Sequence, residues 1–109
     1  MTYRQTLAAL SDPTRRAVFE RVVKAPRSVS EIARGLPISR PAVSQHLRVL
    51  RDAGLVQERR DGTRRIYSAD AKALGELRAY VEEMWRAALG KFAASAGKAD
   101  GKGSDGKKR

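Results

Sequence analysis

Apolar residues recur at helical spacing in the middle of the chain. Val43, Leu47 and Leu50 fall on one side of a helix predicted over residues 40–53, so that side can be buried. Ser39 is placed to cap the start of this helix. Because Arg and Gln can form paired hydrogen bonds with base edges in the major groove, the polar side favours a DNA-recognition helix. The residues away from the buried stripe are Arg40, Pro41, Ser44, Gln45 and Arg48.

Shorter helical patterns precede this helix. Residues 2–10 predict one helix, and Asp12 followed by Pro13 suits the N-cap and first position of a second. Ser28 and Glu31 have the spacing of a capping box, which predicts a third short helix before a turn at residues 36–38. Two short helices joined by such a turn make a helix-turn-helix. The first helix has Leu7 and Leu10 as its apolar positions, and the expected buried positions of the next two are Ala17, Val18, Val22, Val23, Ile32, Ala33 and Leu36.

A basic β-hairpin is predicted directly after the recognition helix. Residues 55–59 and 64–68 read as two strands, and Asp61-Gly62 between them is a strong hairpin signal. A hairpin in this place is a wing, whose arginines can reach a neighbouring groove and phosphates; a solvated turn is the alternative. These arginines are Arg59, Arg60, Arg64 and Arg65.

The last predicted helix, over residues 71–95, carries a long apolar stripe. A core this small cannot cover the whole stripe, so part of it is expected to meet another subunit. Residues 96–109 are Gly, Lys, Asp, Ser and Ala with a basic end, which predicts a disordered tail after a domain of residues 1–95. The tail lysines could extend along DNA or only aid solubility. The stripe consists of Leu74, Leu77, Val81, Met84, Trp85, Ala88, Leu89 and Phe92.

Composition narrows the classes of function. The chain has 109 residues, enough for one small domain, and a net charge of +11 that favours a polyanionic partner. It has no cysteine, which excludes disulfides and thiolate metal sites. No apolar signal region or membrane-spanning segment is visible in the sequence, so we expect a cytoplasmic protein that does not contact the membrane.

Several stretches together resemble the ArsR-type winged-helix repressors, over about residues 3–92. They are residues 9–16, residues 28–33, residues 38–56 and the end of the wing at residues 65–68. The chain looks most similar to the cysteine-free, SdpR-like branch, in which a Trp in the last helix is common and is matched here by Trp85. The resemblance implies a mainly α fold with a small β-hairpin: a winged helix-turn-helix of five helices plus a two-stranded wing.

The resemblance also implies a function and its residues. Members of this family are homodimers, joined by their first and last helices, that repress transcription by occupying a double-stranded DNA operator, in this branch often that of their own gene. The implied base-reading residues are Arg40, Pro41, Ser44 and Gln45. The residues expected at the DNA backbone are Ser39, Arg48, Arg59, Arg60, Arg64 and Arg65. The expected dimer interface contains Leu7, Leu77, Val81, Met84, Trp85 and Ala88.

The sequence departs from the metal-sensing members of the family. It lacks their cysteines, and the adjacent Glu82 and Glu83 point to different sides of a helix, so we expect no metal site and no cofactor. The single histidine, His46, is expected to pack or touch a phosphate rather than sense pH. Without a catalytic constellation, an enzyme is not expected. One alternative is a non-specific architectural DNA-binding protein, which competition between operator and random DNA would reveal. The other is a protein-binding adaptor, but the arginines of the wing argue against it.

Overall fold

The part of the chain that the structure describes contains five helices and a small antiparallel sheet. The structure, a computed structural model, describes the backbone of residues 3–100 and the side chains of residues 3–92. The observed architecture confirms the expected mainly helical winged helix-turn-helix. The elements are α1 (Tyr3–Ala9), α2 (Pro13–Lys24), β1 (Arg27–Ser28), α3 (Val29–Arg34), α4 (Arg40–Asp52), β2 (Val56–Asp61), β3 (Arg64–Ala69) and α5 (Ala71–Asp100).

Three helices begin at the caps that the sequence predicts. The Asp12 carboxylate accepts hydrogen bonds from two backbone N–H groups in the first turn of α2. At the start of α3, the Ser28 hydroxyl accepts from the Glu31 backbone N–H while the Glu31 carboxylate accepts from the Ser28 backbone N–H. Ser39 caps α4 through its hydroxyl alone, which accepts from the Ala42 backbone N–H. These bonds satisfy backbone donors that a helix leaves without partners, which fixes where each helix starts.

The predicted two-stranded wing is confirmed, and a third strand pairs with it to complete the sheet. Strands β2 and β3 form the predicted hairpin around Gly62, whose φ of 67° suits a residue without a Cβ. Strand β1 pairs with the other edge of β3, which places Arg27 opposite Tyr67. A strand of two residues is too short to show alternation of apolar and polar positions, so the sequence pattern could not reveal it.

The core lies between the helices and the base of the wing. Val43, Leu47 and Leu50 are completely buried, as the stripe on α4 predicts. The predicted burial of Val23 is wrong, since α2 turns Val18, Phe19 and Val22 inward and leaves Val23 about half exposed. Other residues of the core are Ala9, Ile32, Ala53, Leu55, Val56, Tyr67 and Ala73, with Leu10, Ala33 and Leu36 packed against them.

The last helix, α5, extends beyond its expected end near residue 95. It continues to Asp100, since the alanine-rich sequence after Phe92 favours helix. Residues 101–109, the remainder of the predicted tail, lie outside the described residues. The chain divides into two compact units, one that ends at Leu77 and one that begins at Arg78.

No helix within residues 3–100 is both long enough and apolar enough to cross a bilayer.

Candidate nucleic-acid interface

Helix α4 separates its apolar and polar residues onto two sides. Its apolar stripe packs in the core, while the five predicted base- and backbone-contact residues outside that stripe are exposed: Arg40, Pro41, Ser44, Gln45 and Arg48. Among residues 3–92, the side chains of Arg40, Gln45 and Arg48 form no hydrogen bond or ion pair with another residue. Their donors and acceptors are therefore available to an external ligand.

Ser39 serves chiefly as a helix cap. Its hydroxyl oxygen accepts from the Ala42 backbone N–H at 3.2 Å. The hydroxyl hydrogen can still be donated, because a serine side chain is both donor and acceptor. Ser39 is exposed, so a phosphate could reach it, but its role in starting α4 is the one that the geometry defines.

The position of α3, the first helix of the helix-turn-helix, depends on an arginine that sequence reasoning missed. Arg21 of α2 donates from Nη2 to the carbonyl oxygen of Glu31, the third residue of α3, at 3.3 Å. A Cβ at Gly35 would overlap the Arg21 guanidinium. Glycine therefore allows the close approach through which Arg21 joins α2 to α3. The sequence offered no pattern for this contact, since it links residues on different elements.

The four wing arginines lie on two faces of the hairpin. Arg60 lies directly opposite Arg65, whereas Arg59 lies opposite Ile66 and Arg64 opposite Asp61. Because side chains alternate along a strand, Arg60 and Arg65 share one face, and Arg59 and Arg64 share the other. All four are exposed. The wing thus presents its arginines in two directions, although the sequence interpretation treated the four as one group.

Carboxylates hold two of these arginines. Arg65 pairs with Glu58 at 3.3 Å, measured from Nε to Oε2, and Arg64 pairs with Glu31 at 3.3 Å, measured from Nη2 to Oε1. Glu58 also accepts from Arg51 at the end of α4 at 2.8 Å. Sequence reasoning missed Glu58 and Arg51. A single acidic residue in a basic strand carries no periodic signal, and its contact with Arg51 joins two different elements.

A cleft of about 430 Å³ lies between α4 and the wing. It brings together four of the predicted contact residues on α4 with Arg65 of the wing. A second cleft of about 530 Å³ brings Arg40 together with Arg64. Neither cleft is lined by Gln45, Arg59 or Arg60. The α4 residues in the first cleft are Arg40, Pro41, Ser44 and Arg48, and Arg51 lines it as well.

Burial and the nearby Glu58 charge raise the pKa of Tyr67 above its ordinary value. The phenol therefore remains protonated at neutral pH and can donate to Glu58. Glu31 behaves in the opposite way: the hydrogen bond from the Ser28 backbone N–H is the largest cause that lowers its pKa. Glu31 is thus a charged acceptor at neutral pH, as its ion pair with Arg64 requires.

The residues predicted at the dimer interface are mostly exposed, and they are divided between the two units. Leu7 on α1 is exposed and Leu77 is partly buried in the first unit. In the second unit, Val81, Met84 and Trp85 are 53–64% exposed. Ala88, Leu89 and Phe92 continue the exposed stripe along α5.

Within the described residues, no group of three or more His, Cys, Asp or Glu side chains could hold a metal ion. Glu82 instead pairs with Arg78, with 3.1 Å between its Oε2 and the arginine Nε. His46 is partly buried on α4.

Comparison with known sequences finds DNA-binding regulators. A helix-turn-helix domain family matches residues 10–59. The HTH-type transcriptional regulator Rv2034 of Mycobacterium tuberculosis is 52% identical over 78% of this chain and 79% of its own length. The transcriptional repressor SdpR of Bacillus subtilis is 33% identical over 61% of this chain and 73% of its own length.

Comparison with solved structures gives the same fold. An ArsR-like transcriptional regulator from Rhodococcus sp. RHA1 aligns with a TM-score of 0.75 and 30% identity, over 90% of this chain and 92% of that chain. The homodimeric winged helix-turn-helix DNA-binding domain of Mb0332, a possible ArsR-family regulator from Mycobacterium bovis, aligns with a TM-score of 0.63 and 27% identity. That alignment covers 79% of this chain and 80% of the other.

Proposed function

Since the chain belongs to the ArsR-type winged helix-turn-helix transcriptional regulators, we propose that it is a homodimeric repressor that recognises a specific DNA operator and senses no metal ion. The observation that carries this proposal is the division of α4 into a fully buried apolar stripe and an unpaired polar side. A helix buried on one side and rich in Arg and Gln on the other can enter the major groove without losing its support.

Base reading is assigned to the first turns of α4. Arg40 can donate two hydrogen bonds to a guanine, and Gln45 can bond an adenine through its amide. Ser44 can bond either kind of base edge, and Pro41 offers an apolar contact. Because Arg40 and Gln45 have no internal partner among the described residues, binding DNA costs them no existing hydrogen bond.

Backbone anchoring is assigned to Arg48, to the wing and, through its hydroxyl hydrogen, to Ser39. Phosphate contacts fix the register of the protein on DNA but carry little sequence information. Arg59 and Arg60 form no ion pair among the described residues, so they are the wing residues most available to phosphates. Arg64 and Arg65 must share their guanidinium groups with Glu31 and Glu58.

The proposed dimer uses the exposed apolar stripe of α5 together with residues of α1. A row of large apolar side chains that remains in water normally marks an interface. Pairing two copies across a two-fold axis would set their recognition helices about one turn of DNA apart, ~34–36 Å. The homodimeric state of the Mb0332 domain supports this assignment. The interface residues are Leu7, Leu77, Val81, Met84, Trp85 and Ala88.

Repression would follow from occupation of a promoter by the dimer, which excludes RNA polymerase. The absence of cysteine from the sequence supports a repressor that is independent of thiolate-bound metals. SdpR is named a repressor, which supports this direction of regulation. Since the resemblance to its branch implies autoregulation, the first operator to seek lies upstream of the protein's own gene.

Affinity selection from a pool of random duplexes tests the proposal. The protein should enrich one two-fold symmetric sequence, and footprinting should then locate that sequence upstream of its own gene. A protein that binds the whole pool without enriching any sequence would instead be an architectural DNA-binding protein. Enrichment that depends on added metal would contradict the metal-independent part of the proposal.

A further inference from the structure

Glu58 joins the recognition helix to the wing through both of its carboxylate oxygens. Oε1 accepts from Nη1 of Arg51 on α4 at 2.8 Å, and Oε2 forms an ion pair with Arg65 on β3, 3.3 Å from its Nε. The Glu58 side chain is only 17% exposed. Tyr67 lies opposite Glu58 in the sheet. Glu58 is therefore a partly buried carboxylate that pairs with arginines of two other elements.

We propose that Glu58 is a specificity-determining residue that limits how Arg51 and Arg65 bind DNA phosphates. This inference rests on the proposed DNA-binding function. It adds Arg51 and Glu58 to the interface, neither of which is among the predicted contact residues. It also assigns Glu58, an acidic residue in a basic wing, a role in discriminating between DNA sequences.

Arg51 and Arg65 would bind phosphates more freely without this carboxylate. Both side chains are about half exposed, and both line the cleft between α4 and the wing. Arg40 and Arg48 line the same cleft, and Arg60 lies directly opposite Arg65 across the hairpin. Like charges in such positions repel each other, and a phosphate from any DNA sequence would relieve the repulsion.

Glu58 should affect operator DNA and random DNA differently. Its ion pair at Nε orients the Arg65 guanidinium while leaving the Nη groups free to donate to a phosphate at one position. At an operator, base contacts hold the duplex in a single register, so an oriented arginine meets its phosphate. On random DNA no register is fixed, and mobile arginines would find more phosphates than oriented ones do. Loss of the carboxylate should therefore increase random binding more than operator binding.

The test measures the affinity of Glu58→Gln for a random-sequence duplex and for the operator selected with the wild-type protein. Exposed ion pairs are individually weak, so release of two arginines should raise the affinity for random DNA about two- to thirtyfold. The salt dependence of random binding should steepen by about one to two. The ratio of operator affinity to random affinity should fall.

The matched control is Asp61→Asn, which makes the same change of charge on the same strand. Asp61 is exposed and forms no ion pair among the described residues. A comparable gain in random binding from Asp61→Asn would show that only the overall charge matters, and it would overturn the proposal. An unchanged affinity of Glu58→Gln for random DNA would overturn it as well.

Arg51 provides a readout that does not depend on the folding of a Glu58 variant. Because Arg51 is held by Glu58, Arg51→Gln should weaken random binding less than Arg48→Gln, which removes an unpaired arginine of the same helix. In the Glu58→Gln background, Arg51→Gln should remove part of the gained affinity, which a double-mutant cycle measures. Equal losses from the two single variants would contradict the proposal. If the wild-type protein selects no operator at all, the proposed function fails instead.

Discussion

Replacement of Gln45 by alanine isolates base reading from folding. Gln45 is exposed in the second turn of α4, and its side chain has no partner among the described residues. Alanine is also the better helix former, so the free energy of unfolding should stay the same or rise by a few tenths of a kcal/mol. Any loss of DNA binding by Gln45→Ala therefore reports a contact made with DNA.

The expected magnitude follows from the proposed symmetry. A paired hydrogen bond between an amide and a base discriminates by ~1–3 kcal/mol, and a homodimer would lose one in each half-site. The total loss at the operator is then ~2–6 kcal/mol, which corresponds to a reduction in affinity of about thirtyfold or more. Affinity for random DNA should hardly change, since phosphate contacts dominate there.

Fluorescence anisotropy with labelled operator and random duplexes, at several salt concentrations, measures both affinities. Arg60→Ala is the comparison variant, because Arg60 is exposed on the wing and unpaired within residues 3–92. It should weaken both duplexes alike and reduce the salt slope by about one. If Gln45→Ala leaves the ratio of operator affinity to random affinity unchanged, α4 does not read bases through this residue.

Three further predictions concern assembly, metals and pH. Val81→Glu should dissociate the dimer and abolish operator binding, whereas Ala79→Glu, on the opposite side of α5, should do neither. If analytical ultracentrifugation finds Val81→Glu still a tight dimer, the apolar stripe of α5 is not the dimer interface. Zinc, cadmium, arsenite and nickel at micromolar concentrations should leave operator affinity unchanged, and a stoichiometric metal that shifts this affinity would refute metal independence. Hydrogen bonds from the Arg15 and Thr14 backbone N–H groups lower the pKa of Asp12 from 3.8. The ionised cap stabilises α2 above that value and is lost as the pH falls through the lowered pKa, so the unfolding free energy should decline below about pH 4, and less steeply for Asp12→Asn. Denaturant titrations at several pH values that show the same decline of the unfolding free energy for both proteins would contradict this assignment.

Some features of the site could be predicted because they depend on neighbours in sequence. The caps at Asp12, Ser28 and Ser39 are formed by bonds to backbone groups two or three residues away. The hairpin depends on its Asp-Gly turn, and the two sides of α4 depend on helical periodicity. These local rules sufficed to predict the recognition helix, the wing and its exposed arginines.

Long-range contacts escaped the same rules. Arg21 reaches α3 because Gly35 leaves room for its guanidinium, and strand β1 pairs with β3 although it has only two residues. Periodicity also misjudged Val23, which is apolar but lies on the side of α2 that the core does not cover. In each case the outcome depends on which element packs against which, and a single segment of sequence does not contain that information.

The sequence by itself determined the order of elements, the buried stripe of α4 and the basic surface opposite it, since these follow from local bonding and from the period of the apolar residues. Only the tertiary structure decided how the arginines are used. It separates the wing arginines onto two faces and pairs Arg65 and Arg51 with Glu58, while Arg59 and Arg60 remain unpaired within the described residues. The reason is physical: an ion pair depends on distance in space, and Arg51, Glu58 and Arg65 come together only when the wing folds back against the recognition helix.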